Sequence, residues 1–519
     1  MGHGAKSIGH GAPCSLLHAF SRQGWWALLV ACFLTVLAKR CCYSGKRSCK
    51  HNCVSLRKIL SLSILLALSL STPSTGRIEK DISSLIQKGR CPGASWGIYA
   101  FDIRRRSVVA SISPDKLLIP ASNMKLLTTA AALKILGPGW RYKTRLLCSG
   151  REKDGILFGD LIVKGSGDPS IPPKALESLI SAVKEKGIRR IEGNIVADPS
   201  CFDGEGYGPG WAKDYEMKWY APKVSGLTIN EGCLDIVFMP GNDIGSDTTM
   251  EIIPRTEILR IENRVKTSIP NSVPDIKVRR YGDKIVAHGT IPYGRSCKIS
   301  ISVDDPPLFF ADLLLQALKE AGVEVVGKAT VGRARGSEEE IATWRSPPLI
   351  EIIKMMNERS INIYAEQIFK TCGYKIYGIG TFETGSMAVY SALRKIGISE
   401  DTAGIADGSG LSRKNLLSPR QIVKLLISMA KDEDFVKSLP RSGEEGSLKD
   451  RMKSLRGLVA AKTGHLNNIS ALSGYILDGK GKPLVAFSIM VNNFIKDIGV
   501  ADKIEDEIVE ILAKTIRAK

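Results

Sequence analysis

Histidine is almost missing from this chain. Of its six histidines, only His288 and His465 lie after residue 53. Neither has a nucleophile-elbow motif nearby, so a Ser-His-Asp hydrolase fits poorly. No HExxH or similar ligand cluster occurs, which sets zinc hydrolysis aside, and no metal or cofactor is expected. Aromatic residues make up only 6%. Without zinc-finger spacing, an aromatic-rich RNA-binding signature or a long basic helix, nucleic acid is not an expected partner. No apolar run reaches the roughly 20 residues of a membrane span. Acidic residues are absent from the first 73 positions, which hold nine basic ones.

What is present is ordinary globular material: 519 residues, 44% hydrophobic and 24% charged. That length suggests two to four domains. The net charge of +20 would suit an anionic cell-wall polymer or membrane surface, although a plainly basic surface explains it as well. The 12 cysteines divide evenly between the first 53 positions and the rest. The later ones, Cys91, Cys148, Cys201, Cys233, Cys297 and Cys372, are too widely spaced for a zinc site or a small disulfide scaffold. An oxidising compartment would allow one or two disulfides, with no pairing readable from the sequence.

Two apolar stretches precede the globular part. Ile59–Leu70 follows Arg57-Lys58 and is followed by small polar residues, so 54–75 reads as a secretory signal. An earlier apolar run at 24–38 leaves a membrane anchor, and hence peripheral membrane association, as a rival. Residues 1–53 fit a gene start placed too far upstream. Every version exports the globular part.

Asp81–Lys88 has the pattern of a short amphipathic helix, and 95–102 with 107–112 that of a β-hairpin. Pro120 followed by an Ala/Leu run marks a helix start near Ser122, which Gly137-Pro138-Gly139 ends. Turn signals and short β-like runs dominate 146–344. These include 156–163, 234–239, 249–253, 276–279 and 298–303, with helices at 174–185 and 308–321. Helices return at 349–368, 384–396 and 419–430. The carboxyl end reads as three strands, 457–463, 469–477 and 483–492, in an antiparallel sheet with one terminal helix, 501–518, over it.

Three polar elements carry chemistry. Ser122 and Lys125 lie three apart at a helix start, on one face. Serine needs a base to act as a nucleophile, and lysine becomes one when burial or a neighbouring cation lowers its pKa. The same spacing recurs at Ser55/Lys58, Ser113/Lys116, Ser181/Lys184 and Ser428/Lys431, where surface residues are the simpler explanation. Only Ser122 opens an apolar helix. Ser360-Ile361-Asn362 adds a hydroxyl that could pass a proton to a leaving amine and an amide that could orient the lysine and a substrate carbonyl. Lys462-Thr463-Gly464 adds groups for a carboxylate and a strand edge free of side chain, with the His465 N–H facing an oxyanion. Each alone is weak; their order together is not.

This order, Ser-x-x-Lys, Ser-x-Asn, Lys-Thr-Gly, resembles the active-site set of penicillin-binding proteins and serine β-lactamases. Pro120–Leu133, Gly165–Pro169, Asp407–Ser412 and Ala461–Tyr475 are similar to stretches of the class C low-molecular-mass penicillin-binding proteins, the D-Ala-D-Ala carboxypeptidase/endopeptidases. The 235 positions from Lys125 to Ser360 match the large insert of that class. The resemblance implies an α+β fold: a β-lactamase/transpeptidase-like catalytic domain, an antiparallel sheet with helices, made from 76–145 and 345–519. It carries a large mixed α+β insert over 146–344, as two small domains, after the export segment 1–75. It implies a periplasmic serine hydrolase acting on peptidoglycan stem peptides, with β-lactams as inhibitors. Ser122, Lys125, Ser360 and Asn362 would be catalytic, and Lys462, Thr463, Gly464 and His465 would bind substrate. Asp214, after Gly208-Pro209-Gly210-Trp211, would meet a free ammonium of the substrate. Two positions depart from the family pattern. Ile361 stands where a polar residue is common and is expected to point away from the cleft. His465 stands where a small hydroxyl residue is common. A serine β-lactamase and a non-catalytic penicillin- or wall-binding scaffold are the alternatives.

Overall fold

Alternation along the carboxyl-terminal strands builds the centre of the molecule. The computed structural model describes residues 74–517, apart from 90, 282, 283 and 496. The anchor reading of 24–38 lies outside the described residues, as does the export segment except for its last two positions. Strands β1 (Ser95–Asp102), β2 (Ser107–Ile112), β3 (Val459–Leu466), β4 (Ile469–Leu477) and β5 (Pro483–Asn492) form one sheet in the order β3-β4-β5-β1-β2. All pairs are antiparallel, and the β1–β5 pair joins the two ends of the chain.

Successive side chains of a strand leave opposite faces. Ala471, Tyr475, Ala486 and Met490 therefore enter one core. Leu472, Ile476, Val485, Phe487 and Ile489 enter another. Both faces are covered, so β4 is buried along its whole length. The second core is closed by helix α1 (Ser74–Lys88) and the terminal helix α7 (Ile498–Arg517). The terminal helix thus shares its face with α1, which begins seven residues before the expected Asp81. The first core holds α2 (Met124–Ile135), α3 (Leu349–Arg359), α4 (Asn362–Tyr377), α5 (Phe382–Leu393) and α6 (Pro419–Met429).

The expected single helix over 349–368 is two helices. The chain breaks at Ser360, which is left-handed at φ 57°, and Ile361, which is extended. A non-glycine residue there costs about 1–3 kcal/mol and persists only where its surroundings enforce it. Ile361 packs against the first core, as expected of its side chain.

Residues 143–345 hold four further sheets. One has five strands, in which Leu161–Lys164, Ile195–Asp198 and Ala329–Val331 run parallel beside the antiparallel pair Lys143–Cys148 and Glu339–Arg345. Helices Ala175–Glu185 and Pro306–Glu320 supply much of their core. The expected strand 156–163 is two, Ile156–Phe158 and Leu161–Lys164, in different sheets. Strands Ile261–Ser268 and Lys284–Pro292 were not expected. The α+β class holds.

Among the described residues, Cys148, Cys201, Cys233, Cys297 and Cys372 are free thiols. Burial pushes the Cys201 and Cys372 thiols up to about 12, which removes them as thiolate nucleophiles. No helix among the described residues is long and apolar enough to cross a membrane.

Candidate active site

Ser122 sits in a tight 3-10 turn, Ala121–Asn123, immediately before α2. Residues Met124 to Leu133 of that helix are all buried. This separates Ser122-x-x-Lys125 from the exposed copies Ser113/Lys116, Ser181/Lys184 and Ser428/Lys431: Lys125 has nowhere to go but inward. Ala121 is left-handed at φ 46°, a strained position beside Ser122. Two close approaches hold the turn. Asn123 Nδ2 donates to the carbonyls of Lys462 (3.2 Å) and Ala471 (3.3 Å). Gly464 passes so near that a Cβ there would lie 2.8 Å from Pro120 O and 3.0 Å from Ser122 N. The glycine thus lets β3 touch the nucleophile turn, besides leaving the strand edge open.

Lys125 Nζ lies 3.0 Å from Ser122 Oγ, 2.6 Å from Asn362 Oδ1 and 2.9 Å from Ser409 O. Burial, opposed by the charges of Glu366 and Asp407, brings its pKa down to about 7. A neutral amine has two N–H bonds and one lone pair. The two carbonyl oxygens accept the hydrogens, and the lone pair is left for the serine O–H.

The break at Ser360 brings the second motif to the same place. Lys462 Nζ lies 2.9 Å from Ser360 Oγ and donates to Thr463 O at 2.9 Å. Burial, then repulsion from Lys125, holds Lys462 well below the ordinary lysine value. Asn362 divides its amide. Its oxygen serves Lys125, while Nδ2 donates to Tyr220 O at 2.7 Å. One of the two N–H bonds expected to face a substrate carbonyl is therefore given to the protein itself.

A family model described as the D-Ala-D-Ala carboxypeptidase 3 (S13) family matches residues 78–515. The chain belongs to this family. Among curated proteins it is 30% identical over 453 residues to the D-alanyl-D-alanine carboxypeptidase DacB of Haemophilus influenzae, covering 83% of this chain and 92% of that one. It is likewise 30% identical over 440 residues to a D-alanyl-D-alanine carboxypeptidase of an Actinomadura species, covering 80% and 81%. The crystal structure of penicillin-binding protein 4 from Haemophilus influenzae superposes with a TM-score of 0.75 at 26% identity, over 83% of this chain and 99% of that one. The same protein complexed with a β-lactam superposes at 0.70 and 25% identity, with equal coverage. Members of this carboxypeptidase family are serine hydrolases.

The remaining predicted positions of this carboxypeptidase-family chain are less uniform. Strand alternation puts Lys462 and Gly464 on the face of Ala460, and Thr463 and His465 on the other. Thr463 Oγ1 donates to Ser447 Oγ at 2.8 Å. The His465 ring turns to Asp502 of α7, with Nε2 2.7 Å from Oδ1. Asp214 is exposed in the turn Lys213–Tyr215. Among the described residues no hydrogen bond joins it to the other predicted positions. Burial raises the pKa of the neighbouring Tyr215 and Tyr220 hydroxyls, with smaller contributions from Asp214.

Two buried carboxylates have structural roles that the sequence reading did not assign, Asp407 within the family-like stretch 407–412 and Glu366. Asp407 accepts from the backbone N–H of Gly410 (2.8 Å) and Ser412 (2.6 Å), from Asn415 Nδ2 (2.7 Å) and from Trp211 Nε1 (2.9 Å). Glu366 accepts from the N–H groups of Gly408 (2.9 Å) and Ser409 (2.8 Å). Together they hold the 407–412 loop against Ser122, where a Cβ on Gly410 would lie 1.9 Å from Ala121 O. A signal for Glu366 existed: it follows Asn362 by four residues on one helix, hence on one face.

Proposed function

We propose that this chain hydrolyses D-alanyl peptide bonds of peptidoglycan stem peptides, as a D-Ala-D-Ala carboxypeptidase/endopeptidase, through a penicillin-sensitive acyl-enzyme in the periplasm. The observation that carries it is the Lys125 amine, buried, lowered to about 7, and facing Ser122 Oγ at 3.0 Å. Ser122 Oγ attacks the penultimate D-Ala carbonyl while its proton passes to Lys125. The backbone N–H groups of Ser122 and His465 face the developing oxyanion. The tetrahedral adduct collapses, the C–N bond breaks, and the leaving amine takes a proton relayed through Ser360. Lys462 and Thr463 anchor the terminal carboxylate, and Asp214 meets an ammonium of the stem peptide. Water then hydrolyses the ester and frees Ser122.

Incubation with a fluorescent penicillin, followed by mass spectrometry and an assay for released D-alanine, tests this. A lasting adduct on Ser122 that Ser122→Ala abolishes, together with D-alanine release, is the expected result. Rapid β-lactam turnover without an adduct would make it a β-lactamase. Folded protein that neither binds penicillin covalently nor releases D-alanine would leave a scaffold.

A further inference from the structure

The general base needs two N–H acceptors in fixed places, and each has its own support. Asn362 is held by the Tyr220 carbonyl. The other acceptor, Ser409 O, is a loop carbonyl, and loops do not hold a position without anchors. Glu366 is fully buried, and no ion pair with it is formed among the described residues. Leaving a carboxyl in that state is expensive unless its hydrogen bonds accomplish something. Both its oxygens are committed to one dipeptide. Oε2 accepts from Gly408 N and Oε1 from Ser409 N. Thr128 Oγ1, one turn along α2 from Lys125, donates to Gly408 O at 2.7 Å. The next carbonyl in the chain is the one that meets Lys125 at 2.9 Å. Asp407 holds the far side of the same loop.

We propose that Glu366 is a positioning residue for the base: it clamps the Gly408-Ser409 backbone so that Ser409 O takes one Lys125 N–H and the lone pair points at Ser122. This rests on the acyl-transfer reading of Ser122 and Lys125. Glu366 touches neither the nucleophile nor the lysine; it acts through one peptide unit. The ionisable groups around it are Asp407, Lys125 and Lys370, and those around Lys125 are Glu366, Asp407 and Lys462.

The test is Glu366→Gln in the full chain, read as the acylation rate constant with fluorescent penicillin from pH 5 to 9. Glutamine has the same size but presents an NH2 to one of the two backbone N–H groups, so the clamp opens. Acylation is expected to slow at least tenfold at its optimum. An ammonium uses Ser409 O more strongly than a neutral amine does, because charge-assisted bonds are stronger. Losing that acceptor therefore moves the acid limb to lower pH, by about half a unit or more. Removing the Glu366 charge lowers the limb as well, because that charge opposes the fall in the Lys125 pKa, so the limb discriminates in Thr128→Val; there an upward move, from a loosened and wetter site, or an unmoved limb overturns the proposal. Thr128→Val opens the same clamp without touching a charge. It is expected to slow acylation at least threefold with a limb displaced the same way, and it decides the matter if Glu366→Gln does not fold. Rates within twofold of the parent and an unmoved limb in the folded variants would refute the clamp. If the parent chain itself is not acylated, the acyl-transfer reading has failed and the clamp falls with it, visibly before any variant is compared.

Discussion

Lowering the pH should switch off acylation through one group. Lys125 is fully buried and its pKa falls from 10.5 to about 7. An ordinary lysine with a pKa near 10.4 would be neutral in only about 4 molecules in 10,000 at pH 7. Here about half are neutral, a gain of roughly a thousandfold in competent base. If Lys125 is the base, the second-order rate constant for acylation follows its neutral fraction. It should fall to about a tenth of its plateau at pH 6 and about a hundredth at pH 5. The slope should be one decade per unit, because one proton is involved. Stopped-flow measurement with a chromogenic β-lactam, in constant ionic strength, reads this directly. Asn362→Ala should depress the plateau at least tenfold, since it removes the 2.6 Å acceptor that orients the amine. A rate flat from pH 5.5 to 8, or a limb near 10, would refute Lys125 as the proton acceptor.

Other outcomes depend on particular contacts. Gly464→Ala puts a Cβ 2.8 Å from Pro120 O and 3.0 Å from Ser122 N, both backbone atoms that cannot swing away. Penicillin labelling should drop more than tenfold while circular dichroism stays that of the parent. His465→Ser removes the ring contact to Asp502 at 2.7 Å. The histidine side chain is 37% exposed, so urea melts should show a loss below about 1 kcal/mol. Its backbone N–H remains, and acylation should stay within threefold. Lys370 sits between Asp203 Oδ1 and Glu205 O, each at 2.7 Å, with the Phe382 ring centroid 4.2 Å away. Lys370→Met strands those acceptors and should cost about 3 kcal/mol in urea melts.

The three motifs were legible because their order along the chain is chemically specific, and the central strands because apolar β-rich runs bounded by turn residues are a local property. Strands 95–102, 469–477 and 483–492 were readable to the residue. Short strands such as Arg190–Ile191 and Glu324–Val325 carry no periodicity to read. They exist only because a distant partner pairs with them.

Local pattern singled out Ser122 among five Ser-x-x-Lys pairs by its apolar helix, but not the burial of Lys125. Burial of α2 in the first core brings the Lys125 pKa down to about 7. Nothing in Glu358-Arg359-Ser360-Ile361-Asn362 announces a helix break, since no glycine or proline marks it. The break belongs to a site completed by Lys462, about a hundred residues on, and by the Tyr220 carbonyl from the insert. Residue types and their order are written in the chain. The pKa of Lys125, the direction of its lone pair and the service of Glu366 depend on desolvation and on groups far apart in sequence, which only the folded arrangement brings together.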